Sequence, residues 1–168
     1  MSVELVLIGP PGSGKSSVAK SLAKKTGKRF VDTDKVIEER EGKPITEIFL
    51  EDGEKHFRTV ESEVVLQTLA GEDEIVALGG GSILSEVVRE ELKKFSPIIY
   101  LEVSISNAAP RVGFNRERPL LLGNPRAQWL ALMENRRLIY ERLATFKIST
   151  DNKKPDQVTS DILEYVKL

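Results

Sequence analysis

Apolar and polar positions along this chain follow two alternating rhythms. Short unbroken apolar runs are separated by longer stretches whose apolar residues recur every three or four positions. The run Val3 to Ile8 (Val-Glu-Leu-Val-Leu-Ile) has the apolar, β-branched character of a buried parallel strand. Ser16 to Lys25 places Val18, Ala19, Leu22 and Ala23 at helical spacing. A short strand over Arg29–Val31 follows, ending in Asp32-Thr33-Asp34, then helical patterns over Lys35–Glu41, Ile45–Leu50 and Glu54–Leu69. Glu74–Leu78 and Pro97–Val103 read as further strands, with a helix around Leu84–Lys93 between them. Ser106–Val112 predicts a short helix, Arg126–Leu143 a long one and Phe146–Ser149 the last strand. Pro155 opens a C-terminal helix, a first-turn position that suits proline. This alternation predicts an α/β fold with a parallel sheet covered on both faces. Ligands in such folds bind at the carboxyl ends of the strands. No repeat, low-complexity tract or linker interrupts the pattern, so residues 1–168 are expected to form one domain.

Composition narrows the function classes. The 168 residues are 40% hydrophobic and 30% charged, an ordinary balance for a globular chain. Lys plus Arg is 25 against 26 Asp plus Glu, a net charge of −1. That lacks the basic footprint of a nucleic-acid binder, so no nucleic-acid partner is expected. No apolar run approaches a membrane span, and no membrane association is expected. The chain has no cysteine, hence no disulfide, thiolate metal site or thiol nucleophile, which suits a cytoplasmic protein.

The strongest local chemistry is Gly9-Pro10-Pro11-Gly12-Ser13-Gly14-Lys15-Ser16, which fits the phosphate-loop pattern G-x-x-x-x-G-K-[ST] at every fixed position. It lies between a predicted strand and a predicted helix, the context that gives the pattern its meaning. Loop amides and the helix N-terminus form an anion site there. Gly12, Ser13, Gly14, Lys15, Ser16 and Ser17 are therefore expected to bind the phosphates of a nucleotide, which the resemblance below implies is ATP. Lys15 can reach the β- and γ-phosphates, and the Ser16 hydroxyl can reach Mg²⁺.

The other strand ends must say where the phosphate goes. Asp32 and Asp34 are two residues apart, on one side of an extended strand. One can serve Mg²⁺ and the other an acceptor hydroxyl; equally, Asp34 or Thr33 can cap the following helix. Glu54, Arg58 and Glu61 share a helix face, either as solvated ion pairs or as an arginine held by carboxylates to clamp an anion. Gly79, Gly80 and Gly81 end the third strand, where they allow close approach to a ligand and expose amide donors. His56, the one histidine, reads as an ordinary helix residue. Gly113 to Pro125, bounded by glycines and prolines with arginines inside, reads either as a surface loop or as a lid that brings arginine over bound nucleotide. Arg136 and Arg137 are adjacent on a helix, so at most one faces a given site.

Taken in order, these segments resemble the shikimate kinase family. The resemblance is carried by Phe30-Val31-Asp32-Thr33-Asp34, Ile37-Glu38, Ile48-Phe49, Gly53-Glu54-Lys55-His56-Phe57-Arg58 with Glu61, Leu78-Gly79-Gly80-Gly81, Arg118-Pro119-Leu120-Leu121, and Arg136 with Tyr140. It implies a three-layer phosphate-loop kinase fold: a five-stranded parallel sheet in order 2-3-1-4-5, helices on both faces and a mobile lid over about 112–125. It implies ATP-dependent, Mg²⁺-assisted phosphorylation of the shikimate 3-hydroxyl, on the route to chorismate and the aromatic amino acids. Shikimate is then held in a region over about 33–61 and beyond, by Asp34, Arg58, Gly79, Gly80, Gly81 and Arg136. Mg²⁺ is held by Ser16 and Asp32. The catalytic set is Lys15, Asp34 and Arg118, the last reaching the phosphates from the lid. Arg111 and Pro155 flank adenine, with Lys153 beside them where many members carry arginine. Lysine stacks on adenine less well than a planar guanidinium. A monomer working on small molecules is expected. A gluconate or nucleoside monophosphate kinase, or a non-enzymatic nucleotide switch, are the competing readings.

Overall fold

Strands β1 (Leu5–Ile8), β2 (Phe30–Asp32), β3 (Ile75–Ala77), β4 (Ile98–Glu102) and β5 (Phe146–Ser149) pair as one parallel sheet in the order β2-β3-β1-β4-β5. They are seen in a computed structural model that describes residues 3–112 and 124–168. The strand order is the one the resemblance implies. Helices α1 (Lys15–Thr26), α2 (Thr33–Glu41), α3 (Ile45–Leu69), α4 (Glu86–Leu92), α5 (Ile105–Val112), α6 (Pro125–Leu143) and α7 (Pro155–Tyr165) connect and cover the strands.

The period-two geometry of β1 splits its side chains between two cores. Leu5 and Leu7 pack with Val18 and Leu22 of α1 and Val158 and Ile162 of α7. Val6 and Ile8 join Val65 and Leu69 of α3, Val88 and Leu92 of α4, and Trp129, Met133 and Tyr140 of α6. All four β1 residues are buried, which is why the run is apolar without alternation. A smaller core of Ile37, Ile45, Ile48, Phe57, Val60 and Val64 joins α2 to α3 beside the sheet.

Two local features differ from the sequence expectation. The cap of α2 is Asp32, not Thr33 or Asp34: its backbone is extended and its carboxylate accepts the Asp34 N–H at 2.9 Å. Asp34 therefore sits in the first turn of α2, not on an extended strand with Asp32. The helices expected over Ile45–Leu50 and Glu54–Leu69 are both present within α3, separated at Gly53, whose φ of 88° and ψ of 163° are non-helical. After β3, Ser82–Leu84 form a 3₁₀ turn, and α4 starts only at Glu86, where Ser85 caps it by accepting the Val88 N–H. The segment 113–123, which holds most of the expected lid and Arg118, lies outside the described residues.

Candidate active site

The loop after β1 is shaped by two glycines in left-handed backbone. Gly12 has φ 85°, and the Ser13 N–H closes a turn onto the Pro10 carbonyl at 3.2 Å. Gly14, at φ 88°, is the N-cap of α1 and has no side chain to satisfy the first-turn amides. No acidic residue occupies that first turn. The positive end of α1 is thus open to an external anion. The Lys15 ammonium lies across the loop, donating to the Gly9 carbonyl at 2.7 Å and the Pro10 carbonyl at 3.0 Å. The Ser16 hydroxyl donates to the Asp32 carboxylate, linking the start of α1 to the end of β2.

These groups line a cleft of about 310 Å³, with Gly12, Gly14, Lys15, Ser16, Asp32 and Asp34 on its walls. Asp32 and Asp34 thus meet at one cleft although they sit in different elements. Their convergence comes from the strand-to-helix turn that the Asp32 cap closes. A hollow of about 240 Å³ shares Gly14, Ser17 and Arg111 with this cleft and adds Thr150, Lys153 and Pro155. Arg111 closes its wall by donating to the carbonyls of Gly12 at 3.0 Å and Thr150 at 3.1 Å. The Lys153 ammonium is turned toward α7, where it pairs with Asp161 at 2.8 Å.

On the other side of β3, side chains press onto the glycine run. The Arg58 guanidinium occupies the place a Cβ on Gly81 would take. A Cβ on Gly79 would come within 2.5 Å of Asp34 Oδ1 and 3.0 Å of Glu61 Oε2. The Gly79 N–H is not an exposed donor, contrary to expectation. It is spent on the buried Thr33 hydroxyl at 3.2 Å, because the turn folds back under α2. What Gly79 and Gly81 contribute is room for charged side chains. The Gly80 carbonyl accepts the buried Tyr140 hydroxyl at 2.6 Å.

Glu54, Arg58 and Glu61 are not a solvated ion-pair row. Arg58 donates to Glu61 at 2.8 Å, and Glu61 is buried with only 3% of its side chain exposed. Glu54 is the looser partner, at 3.6 Å and half exposed. Burial pushes the Glu61 carboxyl above the usual glutamate range. Arg58 opposes that shift, and Asp34 adds to it. Of the adjacent arginines, Arg136 is buried and Arg137 exposed. Arg136 belongs to the inner stripe of α6 with Trp129, Met133 and Tyr140, one turn from the Tyr140 contact with Gly80.

The fold therefore gathers Lys15, Ser16, Asp32, Asp34, Arg58, Gly79, Gly80, Gly81 and Arg111 around the carboxyl ends of β1, β2 and β3. His56 stands apart, bonded to Glu41 at 2.6 Å between α3 and α2. Sequence reasoning missed Trp129 and the contact of Thr33 with the Gly79 N–H. Trp129 is 2% exposed and donates its indole N–H to the Pro11 carbonyl at 2.8 Å. The available signal was its place on the apolar face of a helix, since a buried indole N–H needs an acceptor.

Known proteins match this chain over nearly its whole length. A family model for shikimate kinase matches residues 11–167. A shikimate kinase of Thermobifida fusca is 49% identical over 152 residues, spanning 90% of this chain and 88% of that protein. One of Rhodococcus jostii is 43% identical over 164 residues, with 97% of both chains covered. The structure of an Acinetobacter baumannii shikimate kinase in complex with shikimate superimposes with a TM-score of 0.93 at 31% identity, over 98% of this chain and 93% of that one.

Proposed function

Because the chain belongs to the shikimate kinase family, we propose that it transfers the terminal phosphoryl group of ATP to the 3-hydroxyl of shikimate, yielding shikimate 3-phosphate and ADP on the route to chorismate. One observation carries the site-level reading. Arg58 is tied to a buried carboxylate and laid on the glycine turn beside Asp34, next to a phosphate loop. That is a fixed cation for an anionic acceptor, an element a nucleotide switch does not need.

In this reading the shikimate carboxylate is gripped by Arg58 and Arg136, whose planar guanidinium groups donate paired hydrogen bonds. Asp34 orients the 3-hydroxyl and takes its proton as the oxygen bonds to the γ-phosphorus and the bond to the β-phosphate oxygen breaks. Lys15 exchanges its loop carbonyls for phosphate oxygens and, with the open amides of α1, neutralises the migrating group. Arg118, outside the described residues, adds charge from the lid over 112–125. Arg111 and Pro155 flank the adenine, with Lys153 at the edge of that hollow.

Ser16 and Asp32 are read as the Mg²⁺ site. The donor set fits: a hydroxyl and a carboxylate already in contact at the cleft, both the hard oxygens that Mg²⁺ takes. Bound there, the ion would supply charge neutralisation at the phosphate oxygens. Residues 33–61, which include Asp34, Arg58 and Glu61, are read as the shikimate-binding region of a single kinase domain.

The test is an ADP-release assay with shikimate, gluconate and nucleoside monophosphates offered in turn. ADP release driven by shikimate alone is expected. Release driven by gluconate or a nucleotide, or independent of any acceptor, overturns the reading.

A further inference from the structure

We propose that Trp129 is a positioning residue for the phosphate loop, holding the Pro11–Gly12 peptide so that the Gly12 N–H faces the nucleotide. The proposal rests on the reading that nucleotide phosphates sit in this loop.

Pro10 to Ser13 form a four-residue turn closed by the Ser13 N–H on the Pro10 carbonyl. Such turns exist in two forms that differ by rotating the central peptide through about half a revolution. Proline suits the second position of both, and glycine at the third position tolerates both. The covalent chain alone therefore does not choose between them. The φ of 85° at Gly12 shows the type II form. In that form the Pro11 carbonyl meets the buried Trp129 indole N–H at 2.8 Å.

A planar trans peptide points its C=O and N–H in opposite directions. With the Pro11 carbonyl drawn toward α6, the Gly12 N–H points away from it, and Gly12 lines the cleft that also holds Lys15 and Ser16. Rotating the peptide would turn a carbonyl oxygen toward the phosphates, exchanging an attractive dipole for a repulsive one. The next carbonyl, that of Gly12, is taken by Arg111. Two side chains from α5 and α6 thus draw off successive carbonyls on one arm of the loop. The anion-binding face of that arm is set from outside it.

Trp129→Phe keeps an aromatic ring, though a smaller one, and deletes the donor. The expected result is a rise of about 5–10-fold in the ATP KM and the ADP Kd, the scale of one hydrogen bond. The shikimate KM should stay within about twofold. A purely structural role would instead lower Tm and leave the nucleotide constants of the folded fraction unchanged. A second readout uses the unsubstituted protein. Trp129 is the chain's one tryptophan, so a proton–nitrogen correlation spectrum holds one indole signal. MgADP should move it, and shikimate alone should not. Unchanged nucleotide constants in the phenylalanine variant, or an indole signal unmoved by MgADP, overturns the proposal. Lys15→Ala separates the premise: if it leaves ADP binding intact, the loop reading fails. If it abolishes binding while Trp129→Phe does nothing, Trp129 alone loses its role.

Discussion

Arg58 donates to Glu61 across one turn of α3 at 2.8 Å, and the pair is pressed against Gly81 and Gly79. The buried carboxylate aims the guanidinium, and the missing side chain of Gly81 leaves the space it occupies. Arg58→Ala removes a charge-assisted grip on the acceptor, each such bond contributing about 1.5–3 kcal/mol. Shikimate turnover at fixed substrate should fall at least about 100-fold, while calorimetric titration with ADP gives an affinity close to the unsubstituted protein. Equal loss of both would place Arg58 on the nucleotide side.

Glu61 is the group through which pH should act on stability. Its folded pKa is raised by burial, so the native state holds its proton more tightly than the unfolded chain. The associated stability is fully present below the unfolded glutamate value and lost as pH rises through the raised folded value. Glu61→Gln removes that dependence. Tm of the glutamine variant relative to the unsubstituted protein should rise as pH climbs above the unfolded glutamate value of about 4. A difference that does not change with pH would show that Arg58 cancels the effect of burial.

Asp32 has two tasks that one substitution can separate. It caps α2 through the Asp34 N–H, and its carboxylate meets the Ser16 hydroxyl. Asparagine caps helices about as well as aspartate but carries no charge. Asp32→Asn should leave Tm within a few degrees, yet raise the Mg²⁺ concentration needed for half-maximal activity by about tenfold or more. An unchanged Mg²⁺ titration would remove Asp32 from the metal site.

Gly81→Ala places a methyl group inside the Arg58 guanidinium, whereas Gly71→Ala meets nothing nearer than the Thr68 carbonyl at 3.2 Å. Overpacking of the first kind costs about 1–3 kcal/mol. The Gly81 variant should raise the shikimate KM about tenfold or more with little change in the ATP KM, because the displaced group is the acceptor's cation. The Gly71 variant serves as the comparison and should leave both KM values near their original level.

Much of this chain was legible as sequence because the determinants are local. A left-handed glycine pair between an apolar run and a helix needs no distant residue to be recognised, and it lies in the structure where the pattern placed it. The same holds for β5 at Phe146–Ser149 and for the break at Gly53, both bounded by short-range conformational preference. The strand order was not legible locally; it came only as what the family resemblance implies.

What the chain could not decide by itself depended on what packs against what. Helical spacing put Arg136 and Arg137 side by side but left their environments equivalent until α6 was laid on β4, which buried the first and exposed the second. The Glu61 carboxylate reads as a surface ion-pair partner along α3, and only the approach of β3 and its glycines removes it from water. The Pro11–Gly12 peptide had two orientations available from its own covalent structure, and an indole 118 residues away coincides with one of them. Desolvation and long-range hydrogen bonds are properties of the assembled fold. The sequence by itself therefore located the phosphates' seat, and the tertiary structure decided how its charges are buried, aimed and held.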